Sequence, residues 1–566
     1  MRLSRKHQIK FYYKEIDAIM KEYQSYLNSG VKDLLNRDEL FIGKYVYSDM
    51  ERGNVVFSFE KQNIPSIKVP YTALSMRLEY SEPETLNNIK YIDFRPKARK
   101  SSNSLPIFYY PEENDSSKLL IGFHDIDIDF RNYLNEGQNV YFGRKDPPIA
   151  YLENLIKITN NLSEDSQVSE ILDADYFQKE FNPTLVENSD SFYDLFIEKH
   201  LEDTLSIIQG PPGTGKTTLI SKVCNFLLDQ GNSVMCTALS NKSLVEVSEK
   251  EIFSEKLIQK RIKKTNLNTN EQKQVPNLIN SKDVNSEKGV LLLTTYYKMS
   301  SEAVKLPKGP VFDYIILEEA SQAFIGTIAA CRLLARKLII IGDPKQLPPV
   351  INQKNPENIS KSIVVLTNSL EMFASNVCCP KYRLTSTYRL TDRAARQTGI
   401  FYENSLVSKS DIKSGSPFLD NLPSCFNSNG GTSIIYFDFK SNKLSALRFI
   451  LDASQQLVNK DKDCKIAILS PFRDSVKILR NFVYPKMSDY IENIDINTID
   501  GVQGMTTQFT LLYLPPRLES FSFKLNRFNV ATSRSELCTL IVTDEMYKQI
   551  IPATGLVNKY LKDISS

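Results

Sequence analysis

The stretch Gln209-Gly210-Pro211-Pro212-Gly213-Thr214-Gly215-Lys216-Thr217-Thr218 has the G-x-x-x-x-G-K-[ST] spacing of a phosphate cradle. Its glycines let backbone N–H groups turn toward β- and γ-phosphates, Lys216 adds a point charge, and the Thr217 hydroxyl is placed to ligate Mg²⁺. Further on, Glu318-Glu319 ends an apolar run. The first acid can hold Mg²⁺ through its water shell, and the second can orient and deprotonate an attacking water. Gln346, in Gly342-Asp343-Pro344-Lys345-Gln346, is placed to sense a γ-phosphate. Tyr388-Arg389 sets a ring for stacking a base beside a cation for phosphate charge. Together these residues predict hydrolysis of a nucleoside triphosphate.

Such groups need rigid supports. Leu205-Ser206-Ile207-Ile208 reads as a buried strand entering the glycine loop. Leu219, Ile220, Val223, Phe226 and Leu227 recur at helical spacing after it, up to a C-cap at Gly231. Apolar runs follow at 234–237, 290–293, 314–317 and 338–341, alternating with helical patterns, which predicts a parallel sheet covered on both faces. A second α/β series after about residue 370 has strands at 433–437, 465–469, 509–513 and 538–542 but no glycine loop of its own. Two sheets and one loop place the nucleotide in the cleft between them, where closure can couple to hydrolysis.

Residues 8–30 carry apolar positions at helical spacing and predict one long helix. About residues 40–142 read as a small β-barrel, with strands at 41–47, 54–59, 66–69, 106–110 and 118–121, and a second helix follows at 149–160. Basic residues interleave with aromatics at 91–100, which suits either a phosphate grip or a solvated loop. Residues 251–288, with Lys260-Arg261-Ile262-Lys263-Lys264 and an Asn/Gln-rich tail, read as an inserted subdomain or a solvated helix and loop. The expected domains are 1–180 (helical stalk with barrel), 185–370 (first motor domain, insertion about 251–288) and 371–566 (second motor domain).

At 566 residues the chain is long enough for three or four domains. Its 70 Lys+Arg and 67 Asp+Glu leave a formal charge of +3, so any nucleic-acid surface must be a local groove. Eight cysteines without a C-x-x-C pair, and only three histidines, argue against a zinc module or a disulfide framework. The charged residues after Met1 exclude a signal peptide's apolar stretch, and no run reaches membrane-spanning length. The expectation is a soluble cytoplasmic protein.

In order and spacing these motifs resemble superfamily 1 helicases of the B subfamily, which holds the nonsense-mediated-decay helicase, senataxin and the immunoglobulin-mu-binding-protein helicase. The resemblance covers roughly residues 205 to 545. Ala238-Leu239-Ser240-Asn241 resembles the first nucleic-acid motif and Thr294-Thr295-Tyr296 the next. Phe401-Tyr402-Glu403-Asn404-Ser405-Leu406 resembles the F-Y-x-x-x-L turn. Leu469-Ser470-Pro471-Phe472-Arg473 resembles the motif opening the second domain's binding face. Thr498-Ile499-Asp500-Gly501-Val502-Gln503-Gly504 and Asn529-Val530-Ala531-Thr532-Ser533-Arg534 match the V-D-x-x-Q-G and N-V-A-x-[ST]-R segments.

The resemblance implies two RecA-like P-loop domains, preceded by a small β-barrel on a helical stalk. It makes Arg389 and Arg534 the γ-phosphate arginines, adds Gln503 and Gly504 to the nucleotide site, and gives nucleic-acid contacts to Ser240, Asn241, Thr294, Thr295, Pro348, Ser470, Pro471 and Thr498. The implied activity is ATP- and Mg²⁺-dependent 5′→3′ translocation on single-stranded DNA or RNA. The alternative is an ATPase switch or motor subunit with a protein partner such as a nuclease. The sequence departs from the family at Glu318 (usually Asp), at Leu239 (often Pro) and at Met505-Thr506 (usually Arg-Glu). No adenine-reading glutamine precedes the loop, and residues 188–193 are the nearest candidate region.

Overall fold

The computed structural model describes residues 3–49, 53–67, 69–112, 115, 117–161, 168–177, 179–412, 419, 422–440, 442–502, 504–517, 519–550 and 555–565. Ser4 caps the first helix, Arg5–Asn28, by accepting from the His7 amide. Phe11 and Tyr12 of this helix pack edge-on against Phe324 of the first motor, beside the helix Ala150–Asn161. Glu15 is buried against the loop after Pro349. Its carboxylate accepts from the Asn352 amide at 2.6 Å, the Asn352 side chain at 2.7 Å and the Gln353 amide at 3.1 Å.

Six antiparallel strands, Phe41–Asp49, Asn54–Glu60, Tyr71–Met76, Ala98–Pro111, Lys118–His124 and Asn139–Arg144, close into a barrel. The period of two sends Val55, Phe57 and Phe59, then Ile121 and Phe123, then Val140 and Phe142, into its interior. The strand expected at 66–69 lies instead at Tyr71–Met76, and Asn139–Arg144 completes the ring. In the basic, aromatic stretch at 91–100, Tyr91 and Phe94 are buried and Arg95 is paired with Asp146 at 2.5 Å. These three are committed to the fold. The barrel core runs without a break into the core of the second motor sheet.

Among the described residues the first motor holds nine parallel strands. Their order is Ile279–Ser281, Ile262–Thr265, Leu291–Thr295, Val234–Ala238, Phe312–Leu317, Ala335–Gly342, Leu205–Gln209, Lys381–Leu384 and Thr184–Val186. Two features correct the expected layout. The segment read as an insertion supplies two edge strands, because Ile262 and Lys264 point inward while the intervening Lys263 pairs with Glu287. Lys264 is fully buried, and its ammonium donates to Glu271 at 2.9 Å and to the Asn241 side chain at 3.0 Å. The first sheet also extends past residue 370 to take in Lys381–Leu384.

The second motor is a parallel sheet of Gly431–Phe437, Ser535–Asp544, Thr507–Leu514, Ile466–Ser470 and Ile494–Thr498, in that order. Among the described residues no helix is long and apolar enough to cross a membrane.

Glu15→Ala strips two backbone amides and two side-chain amides, those of Asn352 and Gln353, of their acceptor. The expected effect is a loss of about 1–3 kcal/mol, read as a lowered urea midpoint, with Glu15→Gln losing less. An unchanged midpoint in Glu15→Ala would show that water replaces the carboxylate without cost.

Candidate nucleotide site and nucleic-acid interface

Strand Leu205–Gln209 delivers the glycine loop to the helix Lys216–Asp229. Gly213 has φ +74°, and a Cβ there would lie 2.4 Å from the Cβ of Arg389 and 2.7 Å from the Thr387 hydroxyl. Glycine is required because residues 387–389 lie directly on the loop. The Thr387 hydroxyl donates to the Pro212 carbonyl and the Tyr388 amide to that of Gly213, each at 2.9 Å. Gly215, also at positive φ, caps the helix. The Gly210 amide donates to the Gly342 carbonyl, and Thr214 bonds to the Pro211 carbonyl. The Lys216 ammonium donates to the carbonyls of Gly210 at 2.6 Å and Pro211 at 3.3 Å.

Pro212 to Thr218, Glu318, Glu319, Gln346, Tyr388, Arg389, Gly504 and Arg534 line one cleft of about 470 Å³, while the expected Gly210 and Pro211 are outside its lining and hold Lys216 through their carbonyls. Gln503 lies outside the described residues. Glu318 and Glu319 follow the strand Phe312–Leu317, and Glu319 is held at φ 52°. Each has a buried carboxylate oxygen, Oε2, without a hydrogen-bond partner. Burial pushes both carboxyls up, Glu318 well above the usual range. Orphaned acid oxygens on residues that line the same cleft as Thr217 fit a Mg²⁺ that arrives with its nucleotide. Such sites use one or two carboxylates plus phosphate oxygens, and among the described residues no three His, Cys, Asp or Glu form a cage.

Three cations converge here. Arg389 donates to the Ser533 carbonyl at 3.3 Å and the Thr506 hydroxyl at 2.6 Å. Arg534 donates to the carbonyls of Val530 at 3.0 Å and Met505 at 3.4 Å. Desolvation lowers the pKa of Arg389 to about 10 and of Arg534 to about 9, and the two guanidiniums help desolvation bring Lys216 down to about 8. A polyphosphate relieves this mutual repulsion.

Behind the cleft sits a joint that the motif reading did not assign. Asp343, 2% exposed, accepts from Gln209 Nε2 at 3.1 Å, the Lys345 amide at 3.1 Å, Gln346 Nε2 at 2.9 Å and the Tyr402 hydroxyl at 2.6 Å. Tyr402 in turn accepts from Asn529 Nδ2 at 2.7 Å, on the second motor's helix Leu525–Thr532. Arg383 bonds Gln209 Oε1 and pairs with Glu403. The signal for these partners was present, since Asp343, Tyr402 and Asn529 all fall within recognised motifs, but pairing them requires the fold.

Pro348, Pro471 and Thr498 line a separate cleft of about 560 Å³ between the two motors, with Val350, Phe472, Arg473 and Lys524. Ser240, Asn241, Thr294 and Thr295 lie elsewhere, at or just beyond the C-terminal ends of strands in the first sheet. Ser240 caps the helix Asn241–Ser248, and Asn241 accepts from Lys264. Thr294 and Ser470 are fully buried, and the Thr294 hydroxyl bonds that of Thr265. The expected adenine-reading region is committed elsewhere. Asn188 Oδ1 caps a helix, Asp190 pairs with Lys222, and Tyr193 packs on Phe226. Tyr388 is half-exposed in the cleft.

Two family models, each described as an AAA domain, match residues 195–352 and 366–546. Helicase sen1 of Schizosaccharomyces pombe is 24% identical over 268 residues, covering 42% of this chain and 15% of that protein. The 5'-3' DNA helicase ZGRF1 of Mus musculus is 26% identical over 243 residues, covering 41% of this chain and 13% of that protein. The DNA polymerase alpha-associated DNA helicase A of Saccharomyces cerevisiae is 23% identical over 488 residues, covering 67% and 70%. The chain thus spans less than a sixth of the first two relatives. The paired domain matches, the order of the motifs and the two parallel sheets around one phosphate loop agree: the chain belongs to the superfamily 1 helicases of the senataxin and nonsense-mediated-decay helicase type.

Proposed function

We propose that this protein is an ATP-driven translocase or helicase on single-stranded nucleic acid, moving 5′→3′. The observation that carries this reading is that Lys216, from the first sheet, and Arg389 and Arg534, anchored on the second motor's carbonyls and Thr506, face one cleft with two buried acids. A triphosphate seated there draws on both halves at once, so closing the cleft completes the charge stabilisation that hydrolysis needs. Lys216 binds the phosphates, Glu319 takes a proton from the attacking water, and Gln346 senses the γ-phosphate. Thr217 and Glu318 would hold Mg²⁺, which when bound screens phosphate charge. The polarity is supported by the subfamily resemblance and by the name of the mouse relative, a 5'-3' DNA helicase.

Uncharged Met505 and Thr506, where the family carries Arg-Glu, favour a second reading: an ATPase switch or motor subunit in a larger assembly. Strand unwinding by the isolated chain separates the two. The primary test is ATP hydrolysis by purified protein titrated in parallel with single-stranded DNA and single-stranded RNA. No stimulation by either would refute a nucleic-acid motor.

Lys216→Ala and Glu319→Gln are both expected to abolish turnover, but they part on binding. The first loses nucleotide affinity; the second keeps it and traps a closed complex. Substantial stimulated hydrolysis in Glu319→Gln would remove the base assignment.

Tyr402→Phe deletes one donor to buried Asp343 and the acceptor of Asn529. Its strand-stimulated kcat is expected to fall about tenfold with little change in KM for ATP, since a hydrogen bond to a charged group contributes about 1.5–3 kcal/mol. Asn529→Ala should add little to that loss. Additive effects of the two substitutions would show that the joint does not act as a unit.

The base site offers the Tyr388 ring, and in residues 188–193 the Asn188 side-chain oxygen is already taken by the Asp190 and Ser191 amides. GTP and dATP are therefore expected to be hydrolysed nearly as well as ATP, within about fivefold, because stacking accepts any purine. A preference for ATP above about a hundredfold in kcat/KM would reveal an adenine reader elsewhere.

A further inference from the structure

A second cavity of about 500 Å³ adjoins the cleft that holds Pro348, Pro471 and Thr498, and Arg473 and Thr498 line both. One wall is the barrel and the segment leading into it. The other is the helix Arg473–Val483 of the second motor. Arg473, Lys477 and Arg480 stand at i, i+4 and i+7 on that helix, one face spanning about 10 Å, while Val476, Leu479 and Val483 are buried. Among the described residues neither Arg473 nor Arg480 has an ion-pair partner, and Arg480 Nε donates to the Ile496 carbonyl at 2.9 Å. The facing charges are few. Arg144 is already held by Glu22 and Glu39, and Asp38 reaches across the cavity to pair with Lys477.

We propose that this cavity carries the phosphate backbone of a single strand onward from the motor cleft, and that the Asp38–Lys477 pair is a latch opened when a phosphate replaces the carboxylate. The inference rests on the reading above of a motor that binds single strands. A row of cations continuing a groove is what a near-neutral chain needs to track a polyanion. The exchange is easy because Lys477 is half-exposed, and an exposed pair contributes little. Asp38 sits at φ 52°, a conformation that asparagine also tolerates, so its charge can be removed without straining the backbone.

The test measures binding of single-stranded oligonucleotides, without nucleotide, across a range of salt, comparing strands that just fill the motor cleft with strands long enough to continue past it. Lys477→Ala should weaken the long strand and leave the short one unchanged. It should also reduce the slope of log K against log salt for the long strand by about 0.7, one phosphate contact. Asp38→Asn should do the opposite and tighten the long strand by about two- to threefold. If wild type binds both lengths but the two variants act equally on short and long strands, or not at all, the cavity is not on the path. If wild type binds neither length, the motor reading itself fails, and this inference fails with it.

Discussion

A carboxylate buried away from water must be fully hydrogen-bonded, because each unmet lone pair in a low-dielectric interior is costly. Asp343 meets that demand with donors from the strand entering the glycine loop, from its own turn and from Tyr402, which is itself bonded to the second motor through Asn529. Gln346 therefore cannot turn toward a γ-phosphate without taking a donor from Asp343. The phosphate loop, the sensor turn and the second motor's arginine-bearing helix are constrained as one set. A partly satisfied set is worse than a complete one, so these three elements hold one another in place.

The family departures fit the same logic. Thr506 and Met505 are not idle replacements, since the Thr506 hydroxyl and the Met505 carbonyl hold Arg389 and Arg534. Both guanidiniums donate to neutral oxygens, with the carboxylates of Glu536 and Glu246 acting on Arg389, and that of Asp343 on Arg534, through space. The acids, in turn, are pushed toward protonation by burial while one oxygen of each, Oε2, stays unbonded. The cleft thus sets three cations beside two buried acids, and a metal-bound triphosphate is complementary to both.

Much of this was legible in the sequence because its signals are local. The phosphate loop needs glycine at fixed positions, parallel strands need apolar runs, and acids at a strand end need only the strand. The barrel was visible from period-two phenylalanines, although a strand was set at 66–69 and not at Tyr71–Met76, where small and polar residues dilute the pattern. The strands within 251–288 leave no apolar run because Lys264 counts as a surface residue until Glu271 and Asn241 close around it. Thr294 and Ser470 were assigned to the nucleic-acid surface by motif, yet burial is set by neighbouring strands that no linear pattern specifies. The Asp343 joint depends on residues 209, 343, 402 and 529 meeting in space, and pairwise proximity over such separations is not written in local periodicity.

The grip of Glu15 on Asn352 and Gln353 fixes the first helix to the turn that follows the sensor. That helix, Arg5–Asn28, is about 36 Å long, and about 20 Å of it lies beyond Glu15. At its far end Tyr23 and Tyr26 share a core with Leu74, Met76 and Tyr141 of the barrel. It is therefore a rigid lever with its fulcrum beside the sensor turn: a tilt of about 5° at Glu15 displaces the barrel end by nearly 2 Å, given the rise of an α-helix. Any tilt of the helix about Glu15 would therefore displace the barrel more than the sensor turn.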